Sequence, residues 1–223
     1  HMSDEITPYY QALALQTRCF AVNGMQADDA RARMMSTIDR IGGQIRASKA
    51  FIGQDLKLVV LPEYFLTSFP TRESIAQWHD IGCIDMDGKA YEALGNIAQS
   101  NHVYLSGNVY ERDPNFPALY FQTSFCIAPN GDTILRYRRL NSMFAPTPHD
   151  VWDQYLDIYG LEGVFPVADT SIGRLGAVAS EEILYPEISR MMAMRGAEIL
   201  LHSSSEASSA QISQKEVAKR ARA

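Results

Sequence analysis

The stretch GRLGAVASEEILYPE, residues 173–187, decides how the chain is read. Leu175-Gly-Ala-Val-Ala179 is a short continuous run of small and apolar residues, the pattern of a strand covered on both faces. It ends on Ser180, Glu181 and Glu182, and Pro186 then occupies the favoured first turn of a helix. In α/β sheets the carboxyl ends of buried strands open onto ligand crevices, so polar groups at such an end are candidates for chemistry. The ordinary alternative is that Ser180 merely begins or caps the turn.

Two other stretches share this design. Leu56-Lys-Leu-Val-Val-Leu61 is a buried-strand run that stops at Pro62 and is followed by Glu63. Thr133 to Arg139 reads as a strand carrying Arg136, Arg138 and Arg139 near its end. Taken singly, Glu63 fits a solvated or salt-bridged loop, and the arginines fit a charged strand edge that blocks aggregation.

The remaining pattern is α/β. Thr17 to Val22 carries β-formers and reads as a first strand. Asp28 and Asp29 open a helix, where acidic residues suit the positive end. Met34, Ile38, Ile41 and Ile45 fall on one helical face. Gly88 to Asn101 is a second helix. Val103 to Glu111 and Tyr120 to Ala128 are strands, and the turn Pro129-Asn-Gly-Asp132 leads into the strand from Thr133. Asn141 to Gly163 reads as a long functional loop with a short helix at Val151 to Ile158. Val164 to Ala168 and Leu175 to Ala179 are strands, Pro186 to Arg195 a helix, Ile199 to His202 a strand, and Gln211 to Ala223 a last helix. Hairpins mixed with βα units predict a layered α/β sandwich.

Composition bounds the function. Of 223 residues, 46% are apolar and 21% charged, which excludes disordered, collagen-like and coiled-coil classes. Lys plus Arg number 20 against 26 Asp plus Glu, a formal charge of −6 that argues against a nucleic-acid or acidic-membrane binder. No apolar run reaches the roughly 18 residues of a membrane helix. The polar N-terminus does not read as a signal peptide, and His1-Met2 reads as a tag remnant. Cys19, Cys83 and Cys126 fit neither a disulfide framework nor a zinc spacing, which predicts a reducing, cytoplasmic setting. There is no phosphate loop, no dinucleotide fingerprint, no Gly-x-Ser-x-Gly elbow and no metal-ligand spacing, so no cofactor or metal is expected.

Taken together and in order, the polar strand ends are more specific than any one alone. Pro62-Glu63, Tyr137-Arg138-Arg139, Gly173-Arg-Leu-Gly176 running to Ser180, Tyr185-Pro-Glu187 and Gly196-Ala197 resemble the nitrilase, or carbon–nitrogen hydrolase, superfamily. The resemblance covers nearly the whole chain. It implies a four-layer α-β-β-α sandwich with Glu as general base, Lys at the oxyanion, Cys as nucleophile and a second Glu between Lys and Cys.

Only Glu63 matches outright. Arg139 stands at the Lys position and Ser180 at the Cys position. Counting back from Gly173 puts the second acid on Asp157, with Glu162 as the fallback. A thiol with a pKa near ~8.5 can lose its proton to a carboxylate, whereas a hydroxyl needs an organised base. His202, at the end of the next strand, is the candidate neighbour of Ser180, and it reads first as a satisfied structural histidine. A guanidinium keeps the positive charge but does not give up a proton. An acid one methylene shorter than Glu is misplaced by ~1 Å, which can cost about 10²-fold in rate. An engineered replacement of Cys by Ser would account for Ser180 but not for Arg139 and Asp157, whereas natural drift accounts for all three, since the changes keep charge, shape and polarity and alter reactivity. Cys126, mid-strand, reads as a packing residue rather than a substitute nucleophile.

Two functions follow from the resemblance. One is hydrolysis of a small amide or nitrile through an acyl-enzyme, with Glu63 as base, Ser180 as nucleophile, Arg139 at the oxyanion and Asp157 as the positioning carboxylate. The alternative is a non-catalytic homologue that binds a small polar ligand. The resemblance also implies a homodimer or higher homo-oligomer, with Met191, Met192 and Met194 on a candidate interface helix. Residues 1–223 are expected to form a single domain lacking its C-terminal strands and tail. The serines of residues 203–209 read as a helix-capping loop, and the resemblance implies that this loop lies near the pocket mouth, where it could touch substrate.

Overall fold

The computed structural model describes residues 9–206 and 212–223. Strands β1 (Gln11–Ala14), β2 (Leu56–Val60), β4 (Tyr104–Arg112), β5 (Phe121–Ile127) and β6 (Thr133–Arg138) lie side by side in that order. β3 (Cys83–Asp85) pairs parallel with the far end of β4. β1, β2 and β4 are parallel, while β4, β5 and β6 form an antiparallel meander. The second sheet contains β7 (Leu175–Ala179) and β8 (Ile199–Ser203), paired parallel.

Helix α1 (Ala27–Ile52) buries Met34, Ile38, Ile41 and Ile45 as the 3.6-residue period requires. With α3 (Lys89–Asn101) it covers one face of the large sheet, packing on Leu56, Val59, Leu105 and Phe125. The other face meets the small sheet. Leu58, Cys126, Leu135 and Tyr137 pack there with Ala177, Val178 and Leu201. Helix α5 (Pro186–Met194) closes the far side with Ile188 and Met192. The result is the expected α-β-β-α layering. Among the described residues no helix is long and apolar enough to cross a membrane.

Several elements differ from the sequence reading. Thr17 to Val22 is not a strand; its backbone groups are claimed instead by Arg40 at Arg18 O, Arg33 at Ala21 O and Thr67 O at Val22 N. The edge strand is β1, which has no β-branched residue and is held by its ladder with β2. Val164 to Ala168 is not a strand either: Val164 ends α4 (Trp152–Val164), and Ala168 makes one isolated bridge to Leu175. Helix α2 (Ile75–Ile81) was not anticipated, although Ser74 and Gln77 form a complete capping box at its start. The long loop is mostly ordered: Pro148–Val151 is a 3-10 turn, and α4 runs on with a break at Gly160, whose φ of 63° only glycine adopts freely. Helix α6 spans Gln214–Arg222; Gln211, Ser208 and Ser209 lie outside the described residues.

Candidate active site

Glu63, Arg139 and Ser180 come together in a cavity of about 590 Å³, each from just beyond a strand end. Glu63 follows β2 and is buried. Its Oε1 accepts from Gln122 Nε2 at 2.8 Å and its Oε2 from the Ser205 backbone N–H at 2.9 Å. Gln122, on β5, also donates to Asn108 Oδ1 at 3.0 Å and accepts from Arg139 Nη1 at 2.9 Å. Its amide is thereby oriented, with oxygen toward the cation and nitrogen toward the carboxylate. Sequence reading missed Gln122, because a polar residue inside a β-run carries no motif.

Burial pushes the Glu63 carboxyl above its ordinary range, against the opposing pull of bonds from Gln122 and Ser205 and the charge of Arg139.

Alternation along β6 separates its arginines. Arg136 and Arg138 point to one face, where both pair with the fully buried Glu111, and Arg138 also pairs with Asp113 at 2.5 Å. Arg138 is 3% exposed and lies over the rings of Phe121 and Tyr159. The charged-edge reading of this stretch therefore fails: these cations are internal. Tyr137 faces the other way, and Arg139 follows the strand on that side. Arg139 donates from Nε to Asn141 O at 2.7 Å and from Nη2 to Glu181 Oε2 at 2.6 Å, and its Nη1 lies 3.6 Å from Glu63 Oε1.

Ser180 begins the 3-10 turn after β7 and has φ of 50°, the left-handed region that strains a residue with a side chain. That bend aims its side chain into the cavity. Its Oγ donates to Glu181 Oε2 at 2.8 Å. Burial alone would push the Glu181 carboxyl up, but bonds from Ser180 and its own backbone N–H, with Arg139 and Lys215, hold it at about 2. Glu182 is wholly buried. Its Oε1 accepts from the N–H groups of Leu140 and Asn141 at 2.8 and 2.9 Å, and its Oε2 accepts from the Tyr137 hydroxyl. It ties the segment after β6 to the turn after β7, a role that sequence reading did not assign.

His202 does not serve as a base for Ser180. Its Nε2 is 2.9 Å from the Ser180 carbonyl oxygen, and burial lowers its pKa, which keeps the ring neutral near pH 7. Asp157 is not brought to the site. It lies on the exposed face of α4, where the helix turns it outward, and Glu162 is exposed too. From the segment between Arg139 and Ser180, the polar lining of the cavity is Asn141, Ser142 and Thr147, beside Leu140, Met143, Phe144 and Ala145, and includes no carboxylate. Cys126 is fully buried, and burial pushes its thiol up to about 12, consistent with packing alone. Among the described residues no group of His, Cys, Asp and Glu has the arrangement of a metal site.

A family model described as carbon–nitrogen hydrolase matches residues 11–223. A formamidase of Bacillus thuringiensis is 27% identical over 174 residues, 78% of this chain and 48% of that protein. A probable nitrilase of Schizosaccharomyces pombe is 22% identical over 144 residues, 65% of this chain and 48% of that protein. The chain thus spans about half the length of these curated relatives. Among solved structures, a cysteine-to-alanine variant of the amidase from Nesterenkonia sp. AN1 in complex with butyramide superposes with a TM-score of 0.63 at 17% identity, covering 92% of this chain and 68% of that one. A carbon–nitrogen hydrolase of Helicobacter pylori gives 0.62 at 20% identity, covering 95% and 65%. These likenesses carry the fold, and the family match carries membership: the chain belongs to the carbon–nitrogen hydrolase family.

Proposed function

We propose that the cavity binds a small amide-type ligand in the manner of a carbon–nitrogen hydrolase, and that the hydroxyl at position 180 leaves acyl transfer without an activated nucleophile. The observation that carries this is Glu181, which takes both the Ser180 proton donor and the Nη2 edge of Arg139. A hydroxyl that donates to a carboxylate held near pKa 2 has no base to draw off its proton. With Nε and Nη1 also engaged, three of the five N–H donors of Arg139 are committed within the protein, which draws its charge away from an oxyanion. Amide recognition is supported by Glu63, a buried carboxylate acceptor on the cavity wall held in place by Gln122 and Ser205, and by the formamidase relative.

Hydrolysis is the second reading, favoured by Ser180 and Glu63 lining the same cavity and by the Glu63 carboxyl, whose raised pKa suits a base. Glu63 would then be general base, Ser180 nucleophile and Arg139 the oxyanion partner. Assembly as a homodimer is part of the proposal, with Met191 and Met194 exposed on α5 while Met192 belongs to the core.

Butyramide titrated against the protein decides between the readings, with melting temperature and released ammonia measured together. The expected result is a rise in melting temperature without ammonia above the blank. Ammonia that scales with protein and disappears in Ser180→Ala establishes hydrolysis. An unchanged melting temperature overturns amide binding.

A further inference from the structure

Glu181 is held as a free carboxylate ligand would be. Its Oε2 receives Arg139 Nη2 at 2.6 Å and Ser180 Oγ at 2.8 Å, and its Oε1 lies 3.3 Å from Lys215 Nζ. A guanidinium edge, an ammonium and a hydroxyl thus converge on one carboxylate from three separate elements: the segment after β6, the turn after β7, and α6. Arg139 and Lys215 are largely buried, at 11% and 14% exposure, whereas the Glu181 side chain is 49% exposed. The cations are fixed and the anion sits at the edge of the site, on a short turn from which it can rotate into solvent.

We propose that Arg139, Lys215 and the Ser180 hydroxyl form a carboxylate-binding cradle that Glu181 fills in the free protein, and that a small ligand bearing a carboxylate displaces Glu181 from it. The proposal deepens the reading of the cavity as a small-ligand site and rests on it.

Charge supports the exchange. With Glu181 turned outward, Arg139 still faces Glu63 and Glu182, and Lys215 faces Glu206 with Lys219 beside it. Glu63 already has both oxygens bonded, by Gln122 and Ser205. Glu206 is paired with Lys219, and Glu182 is bonded by Tyr137, Leu140 and Asn141, so Arg139 Nη2 and Lys215 Nζ each lose a carboxylate partner when Glu181 leaves. Lys215 also reaches Ser204 Oγ and Ser205 O, each at 3.3 Å, so it stays positioned when Glu181 leaves. The rest of the ligand has an apolar wall to meet, made by Tyr64, Phe69, Tyr110 and Tyr185. A tethered carboxylate competes at high effective concentration, so its removal strengthens binding of an untethered one without any new contact.

Phenylacetate and phenylacetamide serve as probes in isothermal titration of the wild type, Glu181→Gln, Lys215→Met and the double variant. Glu181→Gln is expected to bind phenylacetate at least tenfold more tightly than the wild type. The double variant loses that gain, and phenylacetamide changes by less than about threefold throughout. If Glu181→Gln binds phenylacetate no more tightly than the wild type while phenylacetamide still binds, the cradle is overturned and the amide reading stands. If neither probe binds any form, both are overturned. Should Glu181→Gln fail to fold by circular dichroism, Lys215→Met decides. Phenylacetate bound at least fivefold more weakly than by the wild type supports the cradle, and unchanged affinity rejects it.

Discussion

The Tyr137 hydroxyl donates to Glu182 Oε2 at 2.7 Å, so the large and small sheets share one wholly buried carboxylate beside the site. The same carboxylate receives two backbone N–H groups from Leu140 and Asn141. Replacing Glu182 by Gln turns an amide donor toward groups that themselves donate. We expect a loss of about 2–4 kcal/mol for Glu182→Gln and about 1 kcal/mol for Tyr137→Phe, read from urea unfolding.

Glu181 gives a dependence on acid. Its folded pKa, about 2, lies below the ordinary carboxylate value of 4.5. The stability it contributes is therefore complete above about pH 4.5 and is lost as pH falls toward 2. Melting curves recorded across that window should show a shallower acid decline for Glu181→Gln than for the wild type. Parallel declines would show that the ion pairs add nothing to stability.

Ser180 bears backbone strain at φ 50°. The left-handed conformation costs a non-glycine residue about 1–2 kcal/mol, and glycine's extra freedom in the unfolded chain returns roughly 0.5–1 kcal/mol of that gain. Ser180→Gly should therefore be neutral or up to ~1.5 kcal/mol more stable by chemical denaturation. Ser180→Val, branched at Cβ, should be clearly less stable.

Arg138 pairs with Glu111 and Asp113 in the interior. Arg138→Met leaves two carboxylates short of a counter-charge and should cost about 3–5 kcal/mol. A urea midpoint unchanged from the wild type would mean that Arg136 alone satisfies Glu111.

The parts of the fold legible in the sequence were those whose local pattern and tertiary setting agree. The α1 face at Met34, Ile38, Ile41 and Ile45, the β2 run stopping at Pro62, and the Asn130-Gly131 turn between β5 and β6 are of this kind. Thr17 to Val22 misled because β-formers mark a fit to a half-buried pleated surface, and no strand partner is offered there. β3, three residues long, has no signal apart from its pairing with β4. Within the site, Glu63, Arg139 and Ser180 were readable because each ends a strand in a motif. Gln122 and Glu182 were not, since their roles arise from partners 59 and 45 positions away. Asp157 was placed by counting along a segment whose helical turns point it away from the cavity.

Glu63 takes its bonds from Gln122 in one sheet layer and from Ser205, 142 residues on, beyond the other, and Ser203 Oγ binds the Leu61 carbonyl in the same way. The cavity is thus an assembly joint whose walls meet only when the two layers dock. Occupancy of the cavity and cohesion of the layers are then thermodynamically linked: a ligand that spans the joint clamps the sandwich shut, and any lesion that loosens the sandwich is registered first as weakened binding.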